Sequence, residues 1–169
     1  PARLRRAPAA EPAVRIRLLA VGTRMPAWVE TAFADYQSRL PHECRLELTE
    51  IVAPERGRRP DLARLRQAEG EKLLKAVPAD CTLIALDERG SALNTAEWAQ
   101  QLQGWMASGR DTALIIGGAD GLAPEVLARA AQRWSLSRLT LPHPLVRVLV
   151  AEQLYRAWSI LAHHPYHRA

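Results

Sequence analysis

The 169-residue chain predicts an α/β fold: a mostly parallel sheet with helices on both faces. Three observations predict it. Strand-like and helix-like segments alternate five times along the sequence. TLIAL at 82–86 and TALII at 112–116 are continuous apolar runs, the pattern of strands covered on both faces. The connections are short, which suits strand–helix crossovers in one sheet.

Val14, Ile16, Leu18 and Ala20 alternate with Arg15, Arg17 and Leu19 until Gly22, giving the first strand. Pro26 then opens a helix in which Trp28, Ala32, Phe33, Tyr36 and Leu40 recur at helical spacing. Cys44, Leu46 and Leu48 mark the second strand, followed by the polar loop APERGRRPD with Arg56, Arg58 and Arg59. Asp61 is an N-cap residue type for the helix 62–77, whose stripe reads Leu62, Leu65, Leu73 and Ala76; Gly70 interrupts it at some cost. TLIAL is the third strand and DERGS turns the chain. Asn94 and Glu97 have capping-box spacing for a helix bearing Trp98, Leu102 and Trp105. TALII is the fourth strand, ended by GGADGLAP. Pro124 takes a first helical position, where its missing N–H costs nothing. EVLARAAQRW forms that helix, LSRLTL at 136–141 the last strand, and Pro144 to Ala162 the last helix.

Composition narrows the function classes. With 48% apolar and 24% charged residues the chain is a soluble globular type, and no apolar run reaches bilayer-spanning length. Cys44 and Cys81 suit reduced core thiols in a cytoplasm. A formal charge of +5 favours a polyanionic partner. Residues 1–13 hold Arg3, Arg5 and Arg6 among Ala and Pro without apolar periodicity, so they are expected to be a disordered extension to a single domain at 14–169. His163, His164 and His167 have no nearby Cys and only one carboxylate, Glu152, in the last helix, and no metal site is expected.

In parallel sheets ligands bind beyond the carboxyl ends of the strands. Three segments of unusual composition arrive there: LDERG at 86–90, IGGADG at 116–121 and SLSRLTLPHP at 135–144. Gly117 and Gly118 let backbone approach a flat ligand, and equally make a tight turn. They are not the dinucleotide fingerprint, which needs G-x-G-x-x-G after the first strand; this argues against a nicotinamide oxidoreductase. Pro142 and Pro144 hold Leu141 and His143 extended, as a ligand cradle or a plain elbow.

Arg147 is the anomaly of the last helix. At about 100° per residue it falls among Val150, Ala151, Leu154, Trp158 and Leu161, opposite Glu152, Gln153, Arg156 and Ser159. A cation near a helix N-terminus also opposes the dipole, by roughly 0.3–1 kcal/mol. Either its stem packs and its head reaches water, or it meets an anion: a carboxylate of the chain, a partner subunit or a substrate phosphate.

LIIGGADGL, then WSLSRLTLPHPLVRVLVAEQLYRAWSI, then HPYHR resemble the RlmH family of 23S ribosomal RNA pseudouridine-N3 methyltransferases, of the SPOUT class. The likeness extends through AVGTRMPAWV, EGEKLL and LDERG, and so over residues 14–169; only residues 1–13 depart from it, since the family begins at the first strand. The resemblance implies a C-terminal trefoil knot, a homodimer and S-adenosylmethionine held in the knot. It assigns cofactor contacts to Leu86, Gly117, Gly118, Leu136, Ser137, Arg138, Leu139, Thr140 and Leu141. Catalytic candidates are His143, Arg147, Tyr166 and Arg168, the last two within an aromatic and basic tail suited to stacking on a base and pairing with phosphate. The implied substrate is ribosomal RNA in the large subunit or whole ribosome. A non-catalytic ribosome-associated RNA-binding factor with the same fold is the competing reading, and turnover separates the two.

Overall fold

The computed structural model describes residues 13–168; the expected disordered segment lies, but for Ala13, outside the described residues. Five parallel strands form one sheet in the order β2-β1-β4-β3-β5. They are β1 (Val14–Val21), β2 (Cys44–Ile51), β3 (Thr82–Ala92), β4 (Thr112–Ile116) and β5 (Gln132–Ser135), joined through α1 (Ala27–Arg39), α2 (Leu62–Ala76), α3 (Thr95–Ser108) and α4 (Pro124–Arg129). Helix α5 (His143–Leu161) and a 3-10 turn at Pro165–Arg168 close the chain.

Alternation along β1 divides the core. Ile16, Leu18 and Ala20 join Phe33 of α1, Trp98 and Leu102 of α3, and Leu154 of α5 on one face. Leu19 and Val21 join Leu73 of α2 and Val126 of α4 on the other. The strands therefore carry apolar side chains in both directions, as TLIAL and TALII predict. Asp61 caps α2 by accepting from Arg64 N, and the Asn94–Glu97 capping box is complete on both sides.

Several local expectations fail for tertiary reasons. Trp28 and Leu62 are exposed, at 56% and 47%, because α1 buries Val29 and Phe33 and α2 buries Glu69, Gly70 and Leu73. Gly70 is no idle interruption: a Cβ there would lie 2.6 Å from Ala123 Cβ, so its absence lets α2 close on the start of α4. DERGS does not end the third strand, which continues irregularly to Ala92. The last strand is Gln132–Ser135 rather than 136–141, and α4 stops at Arg129. Trp134 decides this. Its ring stacks on Trp105 at 5.9 Å and meets Trp98 edge-on at 5.0 Å, so one large buried side chain overrides the alternation of Leu136, Leu139 and Leu141.

Candidate active site

Segment 136–141, released from the sheet, becomes a wall of a cavity of about 730 Å³ at the carboxyl ends of β3, β4 and β5. Local hydroxyls shape it: Ser135 Oγ donates to Ser137 O, and Ser137 Oγ accepts from Leu139 N, both at 2.9 Å. Leu139 is left 74% exposed and lines the cavity with Leu136, Ser137, Thr140 and Leu141. The second wall is Leu86–Arg89 and the third Ile116–Leu122. Gly117 admits no side chain, since a Cβ would lie 2.9 Å from the backbone of Gly121. Of the nine residues the resemblance assigned to cofactor, eight line this cavity; Arg138 sits in the same loop outside the lining.

His143 also lines the cavity. Burial, and then the neighbouring Arg147, push its pKa below the ordinary histidine value. Arg147 itself is 1% exposed. Its Nη1 donates to Glu50 Oε2 and its Nη2 to Gly22 O, both at 2.8 Å. The anion it meets is thus a carboxylate of the same chain, at the carboxyl end of β2. Among the described residues its Nε has no hydrogen-bond partner.

Tyr166 and Arg168 are not brought to the cavity. They follow α5, whose 19 residues span about 28 Å at 1.5 Å per residue. Tyr166 packs on Tyr155 at 4.6 Å and its hydroxyl lies 3.0 Å from Glu152 Oε1 and 3.3 Å from Tyr36 Oη. Arg156 lies over its ring.

Helix α2 contributes what the sequence reading missed. Arg66 lines the cavity. Glu69, 5% exposed, presses its carboxylate behind Gly118, where a Cβ would come within 2.7 Å of both oxygens. It accepts the Gly118 N–H; burial, and then Asp120, raise its pKa against the opposing pull of Arg56, that N–H and Lys72. The sequence did hold a clue, because position 69 keeps helical register with Leu62, Leu65 and Leu73, and a carboxylate on an apolar stripe needs a partner.

Residues 14–167 match the family described as "Predicted SPOUT methyltransferase". The chain belongs to the SPOUT methyltransferase family. It is accordingly a methyltransferase. Among curated relatives, "Ribosomal RNA large subunit methyltransferase H" from Thioalkalivibrio sulfidiphilus is 57% identical over 155 residues, 92% of this chain and 99% of that protein. Two solved structures described as methylase-family proteins share the fold at 16% identity. One, from Haemophilus influenzae Rd KW20, has a TM-score of 0.55 with 89% of this chain and 69% of that chain covered. The other, from Neisseria gonorrhoeae, has a TM-score of 0.56, with 95% and 99% covered.

Proposed function

We propose that this enzyme transfers the methyl group of S-adenosylmethionine to N3 of a pseudouridine in 23S ribosomal RNA, within the large subunit or whole ribosome, as a cytoplasmic homodimer. The observation that carries the reading is the cavity. Three loops remote in sequence meet in one cleft, of a volume that suits a nucleoside-sized ligand. The substrate follows from the close relative that acts on large-subunit ribosomal RNA.

The donor supplies an activated methyl group that needs no metal. Leu86, Gly117, Gly118 and the run Leu136–Leu141, Arg138 included, would hold it. Glycine backbone admits its flat parts closely, and the exposed Leu139 offers apolar cover. Orientation is the main service, since alignment of methyl and nitrogen replaces an encounter from solution. The imide nitrogen must also lose its proton. His143, kept neutral by burial and Arg147, accepts it. Arg147, bound to Glu50 and Gly22, serves by fixing the first turn of α5 and by its field on His143.

Tyr166 and Arg168 reach RNA from this reading only through a second copy, because α5 separates them from their own cavity; this supports the dimer. The knot belongs to the same proposal. Leu86 and Ser91 both pair with Trp134, so Asp87–Gly90 arches beside β5, and Gly90 runs so close to it that a Cβ would lie 2.6 Å from the backbone of Arg133.

Titration calorimetry with S-adenosylmethionine tests the cavity. The wild type is expected to bind at micromolar concentration or tighter, and Gly117→Val at least tenfold more weakly; no binding by the wild type would leave the non-catalytic factor. Turnover is expected to be level above about pH 7 and to fall on the acid side below the ordinary histidine pKa of roughly 6.5. An acid limb unchanged in His143→Ala would remove His143 as the base.

A further inference from the structure

The sequence has 23 Lys and Arg against 18 Asp and Glu. Arg3, Arg5 and Arg6 against Glu11 supply an excess of two in residues 1–13, which leaves an excess of three for residues 14–169. The twelve residues 55–66 hold Arg56, Arg58, Arg59, Arg64 and Arg66 against Glu55 and Asp61, an excess of three by themselves. The positive imbalance of the folded domain therefore equals that of one short segment.

That segment sits at the donor cavity. It leaves the carboxyl end of β2 and enters α2, with its base held where Lys72 Nζ donates to Val52 O at 3.1 Å. Arg56 is paired to Asp120, which lines the cavity, as does Arg66. Arg58 and Arg59 are exposed and, among the described residues, no ion pair is formed by either. Two guanidinium groups without anions are thus held on a short tether to the loop that walls the methyl-donor site. Surface charge of this kind usually disperses into solvent; here the neighbouring Arg56 is paired to Asp120 of the cavity wall, two and three residues from the exposed Arg58 and Arg59.

We infer that the Arg56–Arg59 loop grips the phosphates that flank the target nucleotide, with Arg56 fixing the loop to the donor wall through Asp120 and with Arg58 and Arg59 taking the RNA backbone. The inference rests on the RNA substrate proposed above. Each neutralised phosphate releases counterions, so a contact of this kind shows in the salt dependence of binding as well as in its strength.

The test uses the whole protein and large ribosomal subunits from cells lacking it. Arg58→Ala with Arg59→Ala is expected to raise the half-saturating subunit concentration about tenfold near physiological salt, with kcat and S-adenosylmethionine affinity unchanged. The slope of log affinity against log salt is expected to fall by about one per arginine. Arg15→Ala with Arg110→Ala, exposed arginines at the amino ends of the strands, serves as the control with the same loss of charge. An unchanged slope in the loop variant, or an equal change in the control, overturns the inference. If the wild type itself does not methylate the subunits, the substrate reading fails instead, and co-sedimentation with the same subunits still reads the salt slope of the loop.

Discussion

Arg147 and Glu69 are the two charged side chains buried among the described residues, and each holds a loop end in place. Arg147 ties α5 to the ends of β1 and β2 through Gly22 and Glu50. Arg147→Ala removes both bonds, but the Glu50 side chain is 39% exposed and regains water, so the expected loss is about 2–3 kcal/mol in urea denaturation rather than the larger cost of a stranded buried charge. Glu69 makes a prediction of opposite kind. Its raised pKa means that the folded state holds the proton more tightly than the unfolded state. Its contribution to stability is therefore full below the ordinary carboxyl range and is lost as pH rises through the raised value. Glu69→Gln keeps an acceptor for Gly118 and never ionises, so its stability relative to wild type should rise between pH 4 and pH 8; an equal difference at both pH values would contradict this. Both residues were anomalies visible in the sequence by helical spacing. Their partners were not, since Glu50 is 97 residues from Arg147 and Gly118 lies across a sheet end.

At the scale of elements, the presence of β1–β4, of α1–α3 and of two caps was legible because apolar period and capping chemistry are local, whereas the end of β3 and the end of α4 were not. The last strand was not, because a ring cluster places it. Trp134→Ala should cost about 3–5 kcal/mol and expose Trp98 and Trp105, read as loss of stability with a change in tryptophan emission. Asn94→Ala should cost only about 1 kcal/mol, the usual value of an N-cap. Cys44 faces the core from β2, and burial pushes its thiol up to about 12; in native protein it should resist alkylation at pH 8, and rapid labelling would mean that β2 opens. The three cavity loops were legible in part. Their composition was unusual for turns, and the rule that ligands meet strand carboxyl ends selected them, whereas the wall supplied by α2 required the sheet order to bring it there.

For the molecule as a whole, layered α/β architecture follows from alternation and twice-buried strands, and the structure has that form with the order β2-β1-β4-β3-β5. The proposed threading of the C-terminal segment and the proposed pairing of two copies would be non-local and carry no periodic trace; both proposals rest on the resemblance to the RlmH family, and the second also on the separation of Tyr166 from the cavity. Among the described residues no helix is long and apolar enough to cross a membrane. The central claim is that methyl donor and RNA meet at the cleft between Leu86, Gly117 and Leu136–Leu141. Its most direct test is mass spectrometry of 23S RNA after large subunits from cells lacking the protein are incubated with it and isotopically methyl-labelled S-adenosylmethionine. The account predicts label on N3 of a pseudouridine with wild-type protein and little or none with Gly117→Val. Unlabelled RNA with the wild type, or equal labelling by the variant, would contradict it.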